Sequence, residues 1–298
     1  MNISVKNILL LLLASVALAS CIRDDLEDCP PLRVEIGVKD KNYFNVDQTV
    51  PEERLADDLA FNKYVPTLFY MLRDAKTGEV VEEQGVFNVD GDGKTVAIDF
   101  CPCLPHGKYI LTVWGGLDEL SQLSDDRLSM LIHPDKVQGN DVYLLNATLV
   151  YDAYNYDYTL EMERIKGKLV VLAENLPDNF DMVHIDANNL YGKVSANFEY
   201  SDEASVCNKV AIASTSLIKT ATYMAPSIMT DGTVLDVNFV KENNSSGKLL
   251  LIPDDVKISM ERNKITMLKY VFNKEEDKFY IYIKVNDNWE VVHGMILD

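Results

Sequence analysis

Most of the chain is built of short segments in which β-branched or aromatic residues alternate with polar ones, each closed by Gly, Asn, Asp or Pro. In Leu32-Arg33-Val34-Glu35-Ile36-Gly37-Val38 every second residue is apolar, the pattern of a strand with one face buried and one in water. Comparable strands are expected at 67–72, 80–87, 95–100, 108–114 and 142–150, then at 168–173, 182–186, 192–200, 209–214, 221–225, 234–239, 248–252, 265–272, 279–285 and 289–292. Turn-forming runs such as Asn244-Ser245-Ser246-Gly247 and Asn286-Asp287-Asn288 separate them. Two stretches depart from the rhythm. Leu55 and Leu59 lie four apart in an insertion expected to be exposed, and Leu120, Leu123, Leu128 and Leu131 have spacings compatible with a helix over 118–131. Strand–helix–strand alternation does not recur, which argues against a parallel α/β sheet and for an all-β chain.

The first twenty residues obey a different logic. Lys6 is their only charge, and 8–18 is apolar but too short to span a bilayer comfortably, which is the layout of a cleaved secretory signal. The signal ends in Leu18-Ala19-Ser20-Cys21, where small residues admit a signal peptidase and Cys21 supplies a thiol for diacylglycerol transfer. The segment reads as a bacterial lipobox, with Cys21 as the lipidation site and 21–30 as an acidic tether. The 278 residues left after removal of 1–20 suggest two domains. The tyrosine-rich, turn-prone run at 151–157 places the expected boundary between a sandwich at 31–153 and another at 154–298. Tyr151, Tyr154, Tyr156 and Tyr158 read as one strand face packing on a neighbouring sheet, or as a platform on which sugar rings stack.

Charge narrows the partners. With Lys6 removed, 27 basic side chains face 47 acidic ones, a net charge of −20. Such a surface repels phosphate backbones and anionic headgroups, so nucleic acid is not expected as a partner and the lipid must hold the membrane. The hydrophobic content of 47% indicates a folded body rather than an acidic tail. Besides Cys21 there are cysteines at 29, 101, 103 and 207. An exported chain can keep a disulfide, and Cys29 with Cys101 or Cys103 would tie the tether to the first domain. The alternative for Cys101-Pro102-Cys103 is a redox or metal pair, but a zinc site needs a second ligand pair.

Catalytic patterns are missing from the sequence. His106, His133, His184 and His293 stand singly, and the chain has no nucleophile elbow, no Walker loop and no dinucleotide fingerprint. Gly115-Gly116 after Trp114 reads as a turn closing a strand. Asn88-Val89-Asp90-Gly91-Asp92-Gly93 matches the start of a calcium loop, with Asn88, Asp90 and Asp92 as ligands and Asp99 at position twelve; the same run is also a strong hairpin turn. Neither an enzymatic role nor a cofactor is expected.

The run Cys21-Ile22-Arg23-Asp24-Asp25-Leu26-Glu27-Asp28-Cys29-Pro30-Pro31-Leu32-Arg33-Val34 resembles the mature start of the FimB-type fimbrial anchor lipoproteins of Bacteroidales. Leu104-Pro105-His106-Gly107-Lys108-Tyr109-Ile110-Leu111-Thr112-Val113-Trp114-Gly115-Gly116 is similar to that family's Leu-Pro-x-Gly-x-Tyr strand, and Leu169-Val170-Val171 through Glu174-Asn175-Leu176-Pro177 fits more loosely. The resemblance implies two transthyretin-like sandwiches in tandem, anchoring in the outer membrane and exposure at the cell surface. It also implies a role in holding the base of a fimbria and limiting its length. A fimbrial shaft subunit is the implied partner, docking on an open strand edge. Two other classes share parts of this profile. A surface glycan-binding lipoprotein would show exposed aromatics at one sandwich end, and an enzyme would show a pocket of convergent titratable groups.

Overall fold

The structure, a computed structural model, describes residues 30–293 apart from 103, 178–179, 213–216, 242–248 and 286. The first half supplies β1 (Arg33–Val38), β2 (Thr67–Asp74), β3 (Val80–Asn88), β4 (Val96–Asp99), β5 (Gly107–Gly115), β6 (Ser129–Leu131), β7 (Tyr143–Tyr151) and β8 (Asp157–Arg164). Alternation in β1 does what its sequence requires. Val34, Ile36 and Val38 are buried while Arg33 points outward.

Seven of these strands form one folded-over sheet in the order β3-β2-β5-β7-β8-β1-β4. Its corner lies at β7 and β8, which share only the pairs Tyr143↔Arg164 and Leu144↔Glu163. The two arms therefore face each other as a sandwich over a core that includes Leu32, Ile36, Leu68, Leu111, Tyr143 and Met162. Within the shorter arm β1 runs parallel to β8 and antiparallel to β4.

The second half comprises β9 (Gly167–Glu174), β10 (Met182–Ser195), β11 (Tyr200–Ala211), β12 (Leu217–Met224), β13 (Thr233–Lys241), β14 (Leu249–Leu251), β15 (Val256–Ile258), β16 (Ile265–Asn273), β17 (Lys278–Val285) and β18 (Asn288–His293). One sheet is β11-β10-β13 with β14 and β15 both on β13; the other is β12-β9-β16-β17-β18. The connectivity repeats that of the first half. The opening strand β9 lies parallel to a late strand, β16, and antiparallel to β12, as β1 does to β8 and β4. The hairpin β10–β11 corresponds to β2–β3, and β13 takes the place of β5. Among the described residues the hairpin β17–β18 has no counterpart in the first half.

The chain is thus all-β and sandwich-like, as its periodicity indicates, but four segments pack differently from the sequence reading. Residues 157–164, read as the opening of the second sandwich, pair with β1 and complete the first one. The tyrosine-rich run at 152–156 is a turn inside that sandwich. No helix forms over 118–131. One short 3₁₀ turn, Leu120–Gln122, leads to β6, which adds to β10 with Met130 opposite Val194. The segments 182–186 and 192–200 are mostly one long strand, β10, irregular between Ala187 and Leu190.

The insertion at 39–66 is only partly exposed. It contains a single-turn helix, α1 (Val46–Thr49), and its Tyr43, Val46 and Val50 are buried against Val170, Ile265 and Met267 of the second half. The side chain of Asn45 takes both backbone groups of Ile265. Its Nδ2 donates to Ile265 O at 2.8 Å, and Ile265 N donates to its Oδ1 at 2.8 Å.

Candidate functional site

Beyond its corner the first sandwich has an open seam between β7 and β8. In the parallel pair β1–β8, Arg33 N–H donates to Tyr156 O at 2.7 Å and Lys39 N–H to Met162 O at 3.0 Å. The even-numbered residues of β8 therefore turn their peptide groups toward β1. Asp157, Thr159 and Glu161 turn theirs the other way, and their side chains are exposed. On the facing edge of β7, Val150 is served by a side chain. Its N–H donates to Tyr158 Oη at 3.0 Å, and the same hydroxyl donates to Val150 O at 2.6 Å. One tyrosine thus replaces the two backbone partners a neighbouring strand would supply.

The matching edge in the second sandwich is covered. β17 pairs with β16 from Leu268 to Asn273, and Asn45 occupies Ile265. The hairpin edge β3 is also open, and Val80 and Val81 are exposed there. However, register breaks at Leu68/Tyr70 and Leu72/Arg73 and the acidic Glu82 and Glu83 blunt it. Among the open edges these two strands offer, the β7–β8 seam is the more regular.

The four tyrosines of the seam do not share one face. Tyr151 is buried in the first core, its hydroxyl donating to Pro30 O at 2.9 Å, and Tyr158 plugs the seam. Tyr156 is half exposed and Tyr154 is 91% exposed. The turn that carries them is tied by Asp152, whose Oδ1 accepts from Tyr154 N at 2.8 Å and Asn155 N at 2.9 Å. These bonds, that from Tyr154 N foremost, lower the carboxyl below its ordinary range.

At the junction of the halves lies a buried polar cluster that periodicity did not reveal. Arg164, 3% exposed, donates from Nε to Asp141 Oδ2 at 2.7 Å and from Nη1 to Asn263 Oδ1 at 2.6 Å, and it also donates to the Tyr143 hydroxyl. Its guanidinium lies 4.0 Å from the centroid of the Tyr43 ring. Burial opposes its charge, but Asp141 and the two tyrosines outweigh burial and raise the pKa. Lys166 is buried beside it and donates to Gln138 O at 2.7 Å and Asn140 O at 2.9 Å; burial brings its pKa down to about 8. The signal for this cluster was Arg-Ile-Lys between two apolar strands, since charges so placed need built partners.

The residues singled out in the sequence are dispersed. Cys21, Cys29 and Cys103 lie outside the described residues; Cys101 is disulfide-bonded, and Cys207 is free. Asn88 closes β3, and the loop after it crosses to β4 at the far end of the sheet order instead of turning a hairpin. Its carbonyls are already used. Asn62 Nδ2 donates to Val89 O at 3.3 Å and to Gly91 O at 3.0 Å, and Phe61 N donates to Gly93 O at 2.8 Å. Among the described residues no three His, Cys, Asp or Glu side chains are grouped to hold a metal ion. His133 is buried, His106 meets Tyr151 edge-on at 5.3 Å, and His184 and His293 lie in β10 and β18. Gly116 turns the chain after β5 at φ 81°, where a Cβ would come within 2.2 Å of Asp141 O.

Fold and edges together define an all-β, sandwich-like protein with an open strand edge. No family model and no curated protein matches the chain. Solved structures do. A candidate adhesin from Bacteroides thetaiotaomicron superposes with a TM-score of 0.58 at 12% identity, covering 90% of this chain and 100% of its own. A candidate polysaccharide-binding protein from the same species gives 0.53 at 11% identity, covering 88% and 98%. The fimbrial anchor protein Mfa2 of Porphyromonas gingivalis gives 0.47 at 13% identity, covering 89% and 100%. At these identities the likeness concerns the fold. Among the described residues no helix is long and apolar enough to cross a membrane.

Proposed function

We propose that the protein is a non-catalytic lipoprotein of the outer membrane that holds the base of a fimbria and limits its length. Acylated Cys21 is the membrane end. Acyl chains on a mature lipoprotein exceed the two signals that stable anchoring needs, and the acidic residues after Cys21 resemble the export signal to the cell surface. The partner end is the β7–β8 seam. An extended segment of a shaft subunit adds there as a strand, its backbone bonding the outward groups of β8 and its side chains read alternately by the surface. The observation that carries this reading is the open edge at Asp157, Thr159 and Glu161, in a chain whose leader ends in a lipobox. The fold shared with a candidate adhesin and the resemblance of residues 21–34 support it. We place the division between the two sandwiches after Arg164, where β8 closes the first strand set and β9 opens the second.

Deleting the gene tests the anchor role. Fibres shed into the medium, abundant or overlong, are expected, and so is loss of attachment when Cys21→Ala replaces the wild type. Fibres of normal length that stay firmly attached would refute it. A second reading, binding of a surface glycan, is favoured by the 91% exposure of Tyr154 and by the fold shared with a candidate polysaccharide-binding protein.

A further inference from the structure

A strand that adds to β8 meets two unlike surfaces. Its core-side residues lie over Tyr158 and Leu160, which are partly buried against the first core, and Ala147 and Leu149 of β7 belong to the same cluster. Its solvent-side residues lie beside Asp157, Thr159 and Glu161, which are exposed and whose peptide groups form the open edge. Paired strands bring facing Cβ atoms to about 4.5–5.5 Å, so each of these three side chains reads one residue of the incoming segment. Asp157 and Glu161 are uncommitted. Neither side chain makes an ion pair or a hydrogen bond among the described residues.

Neighbouring charges leave this edge negative. Arg33, opposite Asp157 on β1, is shared between Glu35 at 3.3 Å and Asp99 at 3.5 Å, two carboxylates for one cation. At the closed end of the seam Arg164 is buried on Asp141, and Lys39 and Arg262 lie 3.2 Å and 2.6 Å from Glu163. The Asp40 carboxylate, which accepts from Arg164 N at 2.8 Å, offsets the surplus cation there. Lys108 is exposed, but it stands on β5 opposite Val150 with β7 between it and the incoming strand, and Asp152 follows Val150 by two residues at the same end. Opposite charges facing each other across a strand pair stabilise it and like charges repel, so the edge rejects an acidic segment and selects a basic one at two positions four residues apart. Thr159, between them, suits a threonine or another β-branched neighbour. Acid, hydroxyl, acid reads the same from either end, so a parallel and an antiparallel partner are selected alike.

We propose that the shaft segment docking in the β7–β8 seam is basic and alternating, with Lys or Arg beside Asp157 and Glu161, a threonine-like residue beside Thr159, and apolar residues at the two intervening positions over Tyr158 and Leu160. This selection rests on the seam being a docking edge. Peptides of about nine residues built around Lys-Val-Thr-Val-Lys, Gln-Val-Thr-Val-Gln and Glu-Val-Thr-Val-Glu, titrated into the full chain at low salt with amide hydrogen exchange as a second readout, test the two separately. The Lys peptide is expected to bind about tenfold tighter than the Gln peptide and to slow exchange at Asp157, Thr159 and Glu161, with the Glu peptide weakest. Asp157→Asn combined with Glu161→Gln, both at exposed positions, should bring the three affinities together and leave protection by the Gln peptide intact. Asp254→Asn combined with Glu275→Gln removes the same charge from loops of the second half and should leave the tenfold preference unchanged. Equal affinities in the wild type, with protection at the seam, would overturn the charge selection and leave strand docking standing. A preference that survives the loss of both carboxylates would mark diffuse attraction to an acidic chain and overturn the selection as well. If none of the three peptides protects these amides at about 1 mM, the docking edge itself is refuted, and the selection with it.

Discussion

His133 is neutral because it serves two backbone groups in opposite senses. One ring nitrogen, Nδ1, donates to Val137 O at 3.1 Å, and the other, Nε2, accepts from Ala225 N at 2.9 Å, so protonation would set two donors against each other. Burial, with the charge of Lys166 adding to it, lowers its pKa to about 3. In the unfolded chain the imidazole titrates near its ordinary 6.5. Between these values the unfolded state holds a proton that the native state does not, so stability rises with pH across the window and is lost as pH falls from 6.5 toward 3. The loss attributable to this residue is on the order of 4 kcal/mol. Urea unfolding at a series of pH values should show it as a difference. His133→Gln is expected to be less stable at pH 7 but flatter between 6.5 and 3, and parallel profiles for the two proteins would disprove the assignment.

At the scale of elements, two strand edges are closed by side chains in place of strands. Asn45 offers an amide to Ile265 and thereby fastens α1 to the opening of β16. Tyr158 offers a hydroxyl to Val150 and keeps the β7 edge from presenting bare peptide groups. The first closure packs beside a buried cluster and the second stands in an exposed seam, so they should differ in what they permit. Tyr158→Phe removes a group that water can partly replace. A stability loss of about 1 kcal/mol is expected, together with concentration-dependent self-association in sedimentation velocity as the edge becomes available. A variant that stays monomeric at every concentration would show that the seam is not a pairing edge.

Across the whole molecule the repeated strand order suggests two bodies, yet the larger core belongs to both. Phe69, Met71, Trp114, Met130 and Leu144 from the first half share one contiguous cluster with Leu169, Ile185, Leu235 and Tyr270 from the second. Five such side chains at roughly 2 kcal/mol each amount to about 10 kcal/mol, comparable to the whole stability of an ordinary domain. Separating the halves would forfeit that term and expose the Arg164 and Lys166 cluster. A single cooperative urea transition is therefore expected, with tryptophan fluorescence and far-UV circular dichroism coinciding, because Trp114 lies in the shared core and Trp289 in β18. Two separated transitions would mean that the shared cluster couples the halves weakly.

The residues alone settled what depends on near neighbours. Period-two alternation determined the strands, because adjacent side chains of an extended chain must point to opposite faces, and turn residues bounded them. Acidity was equally legible, since it is a matter of composition. Pairing was not. The turn at 152–156 has the same composition whether it joins strands of one sandwich or links two, and only the register of Asp157 to Met162 against Arg33 to Val38 assigns β8 to the first. Leucines spaced over 118–131 fit a helix locally, but Leu123 and Met130 find more burial in the shared core, and 129–131 finds a strand partner in β10. Tertiary contact outweighed local propensity there. A cleft at the junction of the halves draws together Lys41, Asp141, Tyr223 and Ile265, which no short-range pattern connects. Their meeting depends on long-range packing of the insertion against both halves, and free energy of that kind is decided only in the folded chain.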